Sequence, residues 1–260
     1  MSVLVICAVA LLASALTFFS GFGLGTLLLP AFALFFPVEQ AVMLTAVVHL
    51  LNGLFKLVLV GRHAVPRIVL AFGLPAVAAS WAGAFLLLRL SDFGPLARYL
   101  LFGKEVLVMP AQFVIGLVLL LFSLAEFHPK FRQFSISQRF VPLGGLLSGF
   151  FGGLSGMQGA LRSAFLAKAG LSKEAFIATG TAVACLIDVS RLSVYASQFL
   201  AASAQLNYWV LVAAVVSAFI GAALGKRYLH SIAMRSIQRV VGTMLFAVSI
   251  GLISGVLNPR

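Results

Sequence analysis

The chain has 260 residues, of which 62% are hydrophobic and only 9% are charged. A soluble domain of this size needs more charge on its surface, so the composition excludes a soluble protein and predicts a polytopic membrane protein. The formal net charge of +12 would suggest nucleic acid binding in a soluble chain, but here the cations are expected in short loops that set orientation. The two cysteines lie in apolar segments and predict neither a disulfide framework nor a metal site.

Apolar segments recur along the whole chain and predict an all-α bundle of membrane helices. Single crossings of about 20 residues are predicted for six segments. They are residues 38–60, 67–89, 109–127, 174–198, 207–225 and 240–257. Two others, 2–36 and 141–169, are too long for one crossing and contain glycine clusters, so each is predicted to be a bent pair of shorter helices. The first lacks a basic start and is expected to be retained rather than cleaved as a signal. Residues 90–108 mix charged and apolar side chains and are predicted to form an external interfacial helix or loop.

The stretch Gly144–Gly170 is the most unusual part of the chain, because a glycine cluster is followed by a better helix-forming run that carries Arg162. Glycine costs about 1 kcal/mol in a helix interior relative to alanine, so the cluster predicts a helix that ends and restarts. The restart exposes unpaired N–H groups and the positive end of a helix dipole at membrane depth. Such irregular backbone persists only beside protein or a wet cavity, and we expect it to form half of an anion site.

The two long segments resemble each other and predict an internal repeat. Superposing Gly25 on Gly159 also aligns Thr45 with Thr179, and in both places a broken glycine-rich segment precedes a short turn and three apolar spans. The predicted halves are residues 1–127 and 128–260. Each half is expected to contain a broken helical hairpin and three transmembrane helices. If each broken segment enters and leaves the membrane on the same side, most loop Lys and Arg residues fall on one side, which is then predicted to be cytoplasmic. The same arrangement makes the two halves inverted relative to each other.

Ionisable residues inside membrane segments cost roughly 2.5–3.5 kcal/mol on insertion scales, so each needs a reason. Arg162, with the N–H groups near Gln158 and Gly159, is placed to hold a planar or tetrahedral oxyanion; the alternative is a structural arginine that extends to the cytoplasmic loop. Asp188 and Arg191 lie three apart on one helix and form either a structural ion pair or a gate or proton-linked pair beside the substrate.

His49, Asn52 and Lys56 are spaced for one helical face in the first half. Lys56 is expected to extend to the cytoplasmic interface. His49 either bridges helices by hydrogen bonding or couples transport to protons, since its pKa is ordinarily near neutrality. Neutral side chains are as suited to helix packing as to ligand contact. They are Thr26, Thr45, Ser155, Gln158, Thr179 and Thr181.

A short motif, Gly153-Leu154-Ser155-Gly156, matches the GxSG pattern in which intramembrane serine proteases expose a nucleophile. A serine nucleophile needs a base within hydrogen-bond reach. His49 lies upstream of the motif, whereas those proteases place their histidine downstream. The protease is therefore a minor alternative.

The two glycine-rich repeats, GFGLGTLLLPAFALFFPVEQAVMLTAVV and GFFGGLSGMQGALRSAFLAKAGLSKEAFIATGTAV, resemble those of the sulfite exporter TauE/SafE family, also called the toluene sulfonate uptake permease family. The resemblance implies transport of sulfur-containing anions such as sulfite or organosulfonates, and no enzyme activity. Met157 and Gln158 interrupt the second glycine cluster, and Arg162 and Ser163 replace apolar residues that often follow it. These departures suggest a substrate different from sulfite.

The combined prediction is a secondary transporter in a bacterial inner membrane that works by alternating access, with possible proton or ion coupling and contact with membrane lipid. No cofactor, metal or nucleic acid is expected, and the alternative is a membrane assembly protein without transport. The candidate substrate-binding residues are Gly23, Gly25, Thr26, Thr45, His49, Asn52, Ser155, Gln158, Gly159, Arg162, Thr179, Asp188 and Arg191.

Overall fold

A computed structural model describes residues 2–20, 24–128, 137–202, 208–228 and 234–257. Within these ranges the chain forms ten α-helices and one β-hairpin. The helices are α1 (Ser2–Ser20), α2 (Leu24–Ala33), α3 (Val38–Val60), α4 (Pro66–Ser91), α5 (Pro110–Phe127), α6 (Val141–Ser155), α7 (Gly159–Leu166), α8 (Lys173–Ala202), α9 (Tyr208–Tyr228) and α10 (Met234–Ile253). The strands are β1 (Ala97–Leu101) and β2 (Lys104–Val108), and two short 3₁₀ turns span Gly61–His63 and Gln138–Phe140.

The predicted membrane spans are present as long apolar helices, which confirms an all-α polytopic bundle. Five helices of the described chain are long and apolar enough to cross a membrane. They are Val38–His63, Pro66–Ser91, Pro110–Phe127, Lys173–Ser197 and Tyr208–Arg227. The sixth predicted single crossing, 240–257, coincides with the second part of α10 and contains the shorter apolar stretch Val241–Ile253.

Both long segments are pairs of shorter helices, as predicted. The first pair is α1 and α2, and the junction at 21–23 lies outside the described residues. The second pair, α6 and α7, breaks at Gly156, whose φ of +77° places it in the left-handed region that favours glycine. Its N–H donates to the carbonyl of Gly152 at 2.9 Å and ends α6, and α7 begins at Gly159.

Most glycines of the second cluster do not break the helix, contrary to the prediction. Gly145, Gly149 and Gly153 lie within α6 at intervals of four residues, on one helical face. A Cβ atom added at any of them would lie 2.1–2.2 Å from a backbone carbonyl oxygen of α4. These glycines therefore serve close packing of α6 on α4, a common role of small residues between membrane helices. Propensity alone does not separate that role from helix breaking.

Helix packing follows the same pattern in both halves. Helix α1 packs on α9 as α6 packs on α4, while α5 contacts α10 and α3 contacts α8. In the predicted two-repeat division, α1 corresponds to α6, α3 to α8, α4 to α9 and α5 to α10. Exchanging each helix for its counterpart turns the α1–α9 pair into the α6–α4 pair, and it leaves the α5–α10 and α3–α8 pairs as they are. The glycines lie on α6 at the α6–α4 interface, but at the α1–α9 interface they lie on α9. Gly221 and Gly225 of α9 approach backbone carbonyls of α1. The two-repeat division and its inverted orientation stay predictions, and this pairing supports the division.

The region 90–108 contains a β-hairpin, so the prediction of an interfacial helix or loop was wrong. Strands β1 and β2 pair antiparallel, and Phe102 and Gly103 form the turn with φ angles of +50° and +76°. Two consecutive positive φ angles are typical of the tight turns whose twist suits a hairpin. The hairpin is tied to the end of α10, because the hydroxyl of Tyr99 donates to the carbonyl of Ser254 at 2.5 Å.

Candidate functional site

A cavity of about 40 Å³ lies between α1, α2, α3, α7 and α8. This volume accommodates a few water-sized groups. Most of its polar lining comes from α1, α3, α7 and α8. The polar lining residues are Thr17, His49, Asn52, Lys56, Arg162, Ser163 and Thr181. A small, partly open space with cationic, hydroxyl and amide side chains in its lining is suited to a small hydrophilic ligand rather than to lipid.

Two cationic side chains, Lys56 and Arg162, face this cavity. Both residues are only 7% exposed, and their charges are close enough to repel each other. The Nζ atom of Lys56 lies 3.4 Å from the hydroxyl of Thr17, and Arg162 Nη1 donates to Gln158 Oε1 at 3.1 Å. The expectation that Lys56 extends to the cytoplasmic interface is therefore wrong, because its side chain turns inward to the cavity.

Local sequence explains how Arg162 reaches the cavity. The left-handed turn at Gly156 ends α6, so α7 starts in a new direction and carries Arg162 in its first turns. Gly180 of α8 lines the cavity beside the guanidinium, and a Cβ atom added there would lie 3.3 Å from Arg162 Nε. Gly53 of α3 likewise allows α8 to approach, since a Cβ atom there would lie 2.7 Å from Cys185 Sγ.

Asp188 is the centre of a buried hydrogen-bond network beside the cavity. Its Oδ2 lies 2.5 Å from His49 Nδ1, and its Oδ1 accepts from Gln158 Nε2 and from Arg191 Nε, each at 3.0 Å. Asp188 and Arg191 are both fully buried, and Arg191 Nη1 also donates to the carbonyl of Gly152 at 3.2 Å. The sequence-predicted pair of Asp188 and Arg191 therefore exists, and Gln158 joins it to Arg162.

The break between α6 and α7 lies against α2, so the two broken segments contact each other. A Cβ atom added at Gly25, the second residue of α2, would lie 2.9 Å from the carbonyl oxygen of Gly156. Leu24, where α2 begins, lines the cavity, whereas Gly159, where α7 begins, does not line it. The first residue of α2 thus contacts the cavity, and α7 contributes the side chain of Arg162 to it.

The structure assembles part of the predicted residue set at the cavity. His49, Asn52 and Arg162 line it, and hydrogen bonds connect Gln158, Asp188 and Arg191 to this lining. The other predicted residues lie elsewhere. Thr26 lines a second small void, and Thr45 is buried beside Gly25, which itself packs against the backbone of Gly156. Ser155 and Thr179 form hydrogen bonds with the backbone, and Gly159 is buried at the start of α7. Gly23 lies outside the described residues. A role in binding stays a prediction for each.

Four cavity residues were missing from the predicted set. Lys56 carried a usable signal, because it follows His49 and Asn52 on one helical face. Ser163 was noticeable only as a departure from the family pattern next to Arg162. Thr181 was noted only as a neutral side chain suited to either packing or ligand contact, and Thr17 is identified by its contact with Lys56 at the cavity.

A bundle of long apolar helices with cationic side chains in a cavity between them is typical of a multi-pass membrane protein. The family model described as sulfite exporter TauE/SafE matches residues 6–252 of the chain. The match spans nearly the whole sequence, and the chain belongs to this family. It is a family of membrane transporters for sulfite-type sulfur anions and not a family of enzymes. Comparisons with curated proteins and with solved structures gave no match.

Replacing Ser155 with alanine should leave transport and thermal stability close to wild type. The Ser155 hydroxyl donates to the carbonyl of Phe151 at 3.0 Å, one turn earlier in α6, and His49 is bonded to Asp188 instead. A hydroxyl in such a bond contributes little to a helix. Transport assays and serine-reactive probes check this. Labelling of Ser155 by the probe would instead support the protease alternative, and loss of transport at unchanged stability would place Ser155 at the substrate.

Replacing Thr179 with valine should lower stability without changing substrate affinity. The Thr179 hydroxyl accepts a hydrogen bond from the backbone N–H of Val65 at 3.0 Å and so fixes the start of α4 against α8. Losing such a bond costs about 1 kcal/mol. We expect a lower unfolding temperature in detergent and an unchanged KM. A raised KM at unchanged stability would place Thr179 at the substrate.

Proposed function

We propose that this protein is a secondary transporter of a small sulfur oxyanion such as sulfite, which binds in the cavity between Lys56 and Arg162. The observation that supports this most strongly is that two buried cations face one small polar cavity. Relative movement of the two halves around this site would give alternating access, as in other transporters built from repeats with broken helices. The proposed location is the inner membrane of a bacterium.

The charge balance around the cavity favours an anionic ligand. Among the described residues, the cavity lining contains two cations, Lys56 and Arg162, and no acidic side chain. Arg191 is neutralised by Asp188 at 2.8 Å. Two cations that line one small cavity attract an anion, so an anionic ligand would stabilise the site. A membrane assembly protein has no need of this excess.

The size and chemistry of the cavity favour a compact oxyanion over a bulky sulfonate. Hydroxyl and amide groups of Thr17, Asn52 and Ser163 stand beside the two cations and are suited to oxygen acceptors. A cavity of about 40 Å³ is too small for an aromatic sulfonate in this conformation. We therefore prefer sulfite to organosulfonates, although the departures at Arg162 and Ser163 suggested a different substrate.

Uptake of radiolabelled sulfite into liposomes that contain the purified protein tests the proposal. Protein-free liposomes correct for sulfur dioxide, the neutral form that crosses lipid unaided. Unlabelled sulfite should compete strongly, methanesulfonate weakly and benzenesulfonate least. Uptake equal to that of protein-free liposomes would contradict a transport function, and stronger competition by benzenesulfonate would contradict the size argument.

A further inference from the structure

We propose that His49 is a proton-binding site which couples anion transport to proton movement. This inference rests on the proposed function, and it adds a second ligand, the proton, to the same site. Its geometric basis is that one imidazole both lines the cavity and contacts the buried carboxylate of Asp188. A proton taken up from the cavity on one ring nitrogen would be stabilised through the other nitrogen.

The two carboxylate oxygens of Asp188 have different partners. Its Oδ1 accepts from Gln158 and lies 2.8 Å from a guanidinium nitrogen of Arg191. Its Oδ2 is 2.5 Å from His49 Nδ1. One oxygen is thus engaged by a permanent cation, and the other is directed at an imidazole, whose two ring nitrogens can both carry a proton. Neutral His49 donates its Nδ1 proton to Oδ2, which leaves Nε2 as the acceptor for an incoming proton.

The groups around His49 make its protonation depend on the anion. Helix α8 contributes Asp188, Arg191 and the thiol of Cys185, α3 contributes Lys56, and α7 contributes Arg162. Helices α1 and α2 present no charged side chain. The charged side chains of α4 (Arg67 and Arg89), of α5 (Glu126) and of α9 lie only near the ends of those helices. With an empty cavity, the cations oppose a further positive charge on His49. A bound oxyanion compensates them, so it strengthens proton binding, and by linkage the proton strengthens anion binding equally.

A chain of hydrogen bonds connects the proton site to the anion site. His49 contacts Asp188, Asp188 accepts from the amide of Gln158, and the Gln158 carbonyl accepts from Arg162. Gln158 also precedes the start of α7, directly after the break at Gly156. A charge change at His49 therefore reaches both the guanidinium at the cavity and the junction between α6 and α7.

The test measures sulfite accumulation in liposomes at zero membrane potential, set by valinomycin and equal potassium on both sides. The lumen is one pH unit more alkaline than the outside, and protein-free liposomes are the blank. Coupling of one proton to each sulfite dianion should give about tenfold higher accumulation than without the gradient, since one pH unit corresponds to a tenfold factor in equilibrium. A wild-type protein that transports sulfite with no response to the gradient would overturn the coupling and leave the transport function intact. Absence of any protein-dependent uptake would overturn both.

His49→Asn is the informative variant, because its amide can still donate to Asp188 from near the Nδ1 position but cannot bind a proton. We expect sulfite accumulation by this variant to lose the tenfold response to the pH gradient, whatever its rate of transport. The matched control is His63→Asn, in the turn after α3, where the ring accepts from Arg62 and lies outside the cavity. This control should keep the full response. If His49→Asn keeps it as well, the proton crosses as bisulfite and the proposal is overturned.

A binding measurement on the wild-type protein covers the case in which His49→Asn does not fold. Sulfate stays a dianion across the range in which histidine titrates, so its affinity reports protonation of the protein alone. Sulfate should bind more tightly as the pH falls from about 8 to about 6, and this dependence should persist in Lys56→Met, which removes the amine that also lines the cavity. Affinity that is independent of pH over this range would overturn the proposal.

Discussion

Arg162→Gln should raise the KM for sulfite by about tenfold to a hundredfold, or abolish transport. Arg162 is one of two cations that face the cavity, and it is buried. A hydrogen bond to a charged group contributes about 1.5–3 kcal/mol, and about 1.4 kcal/mol corresponds to a tenfold change in affinity. Glutamine keeps a donor but removes the charge and the fork of N–H groups that fits an oxyanion.

Two further variants make the Arg162 result specific. Arg162→Lys keeps the charge and loses the planar fork, so its KM should lie between those of wild type and Arg162→Gln. Arg67→Gln removes an exposed arginine near the start of α4 and should leave the KM unchanged. Sulfite uptake by liposomes with equal amounts of folded protein provides the measurement. An unchanged KM in Arg162→Gln would remove this residue from the binding site.

The membrane helices could be predicted from sequence because bilayer thickness sets their length. Apolar runs of about 20 residues can hardly form anything else in a chain with so few charges, and α3, α4, α5, α8 and α9 match them closely. The presence of a helix break in the second glycine-rich segment was also predictable, since both glycine-rich segments were too long for one crossing. The position of the break at Gly156 was not predictable, because the sequence does not distinguish a glycine that allows close helix packing from a glycine that adopts a left-handed conformation.

The site was predictable where a residue is costly inside a membrane and unpredictable where it is not. Buried Arg162, Asp188 and Arg191 needed a reason in an apolar helix, and the structure joins them through Gln158. Lys56 was misinterpreted because a lysine near a helix end can reach either water or a cavity with the same stem. The direction depends on the contact of Lys56 with Thr17 of α1, a tertiary contact that local sequence does not specify.

The β-hairpin was missed for a different reason. Residues 90–108 follow apolar helices, and their mixture of charged and apolar side chains is also typical of an interfacial helix. Alternation in β1 and β2 is weak, since the burial pattern of β1 is exposed along most of the strand. The turn at Phe102 and Gly103 was the usable signal, because a glycine there permits the second positive φ.

Asp188→Leu should destabilise the folded protein more than any other single variant discussed above. The carboxylate neutralises Arg191, and both side chains are fully buried. Breaking a buried ion pair by removal of one partner costs about 3–5 kcal/mol, because the remaining charge stays uncompensated in a low-dielectric interior. The amide of Gln158 also loses its acceptor. We expect a large fall in unfolding temperature in detergent, or loss of folded protein.

A second substitution separates the charge effect from lost packing. Replacing both partners of a buried pair with apolar residues of similar volume is often nearly neutral for stability, so Asp188→Leu with Arg191→Met should recover much of the loss while transport stays impaired. The matched surface control is Glu105→Leu, because Glu105 and Arg98 lie 3.9 Å apart and both are largely exposed. Exposed pairs of this kind contribute about 0–1 kcal/mol. If Asp188→Leu behaves like Glu105→Leu, Arg191 is neutralised by another group, and the excess of two positive charges at the cavity would have to be counted again.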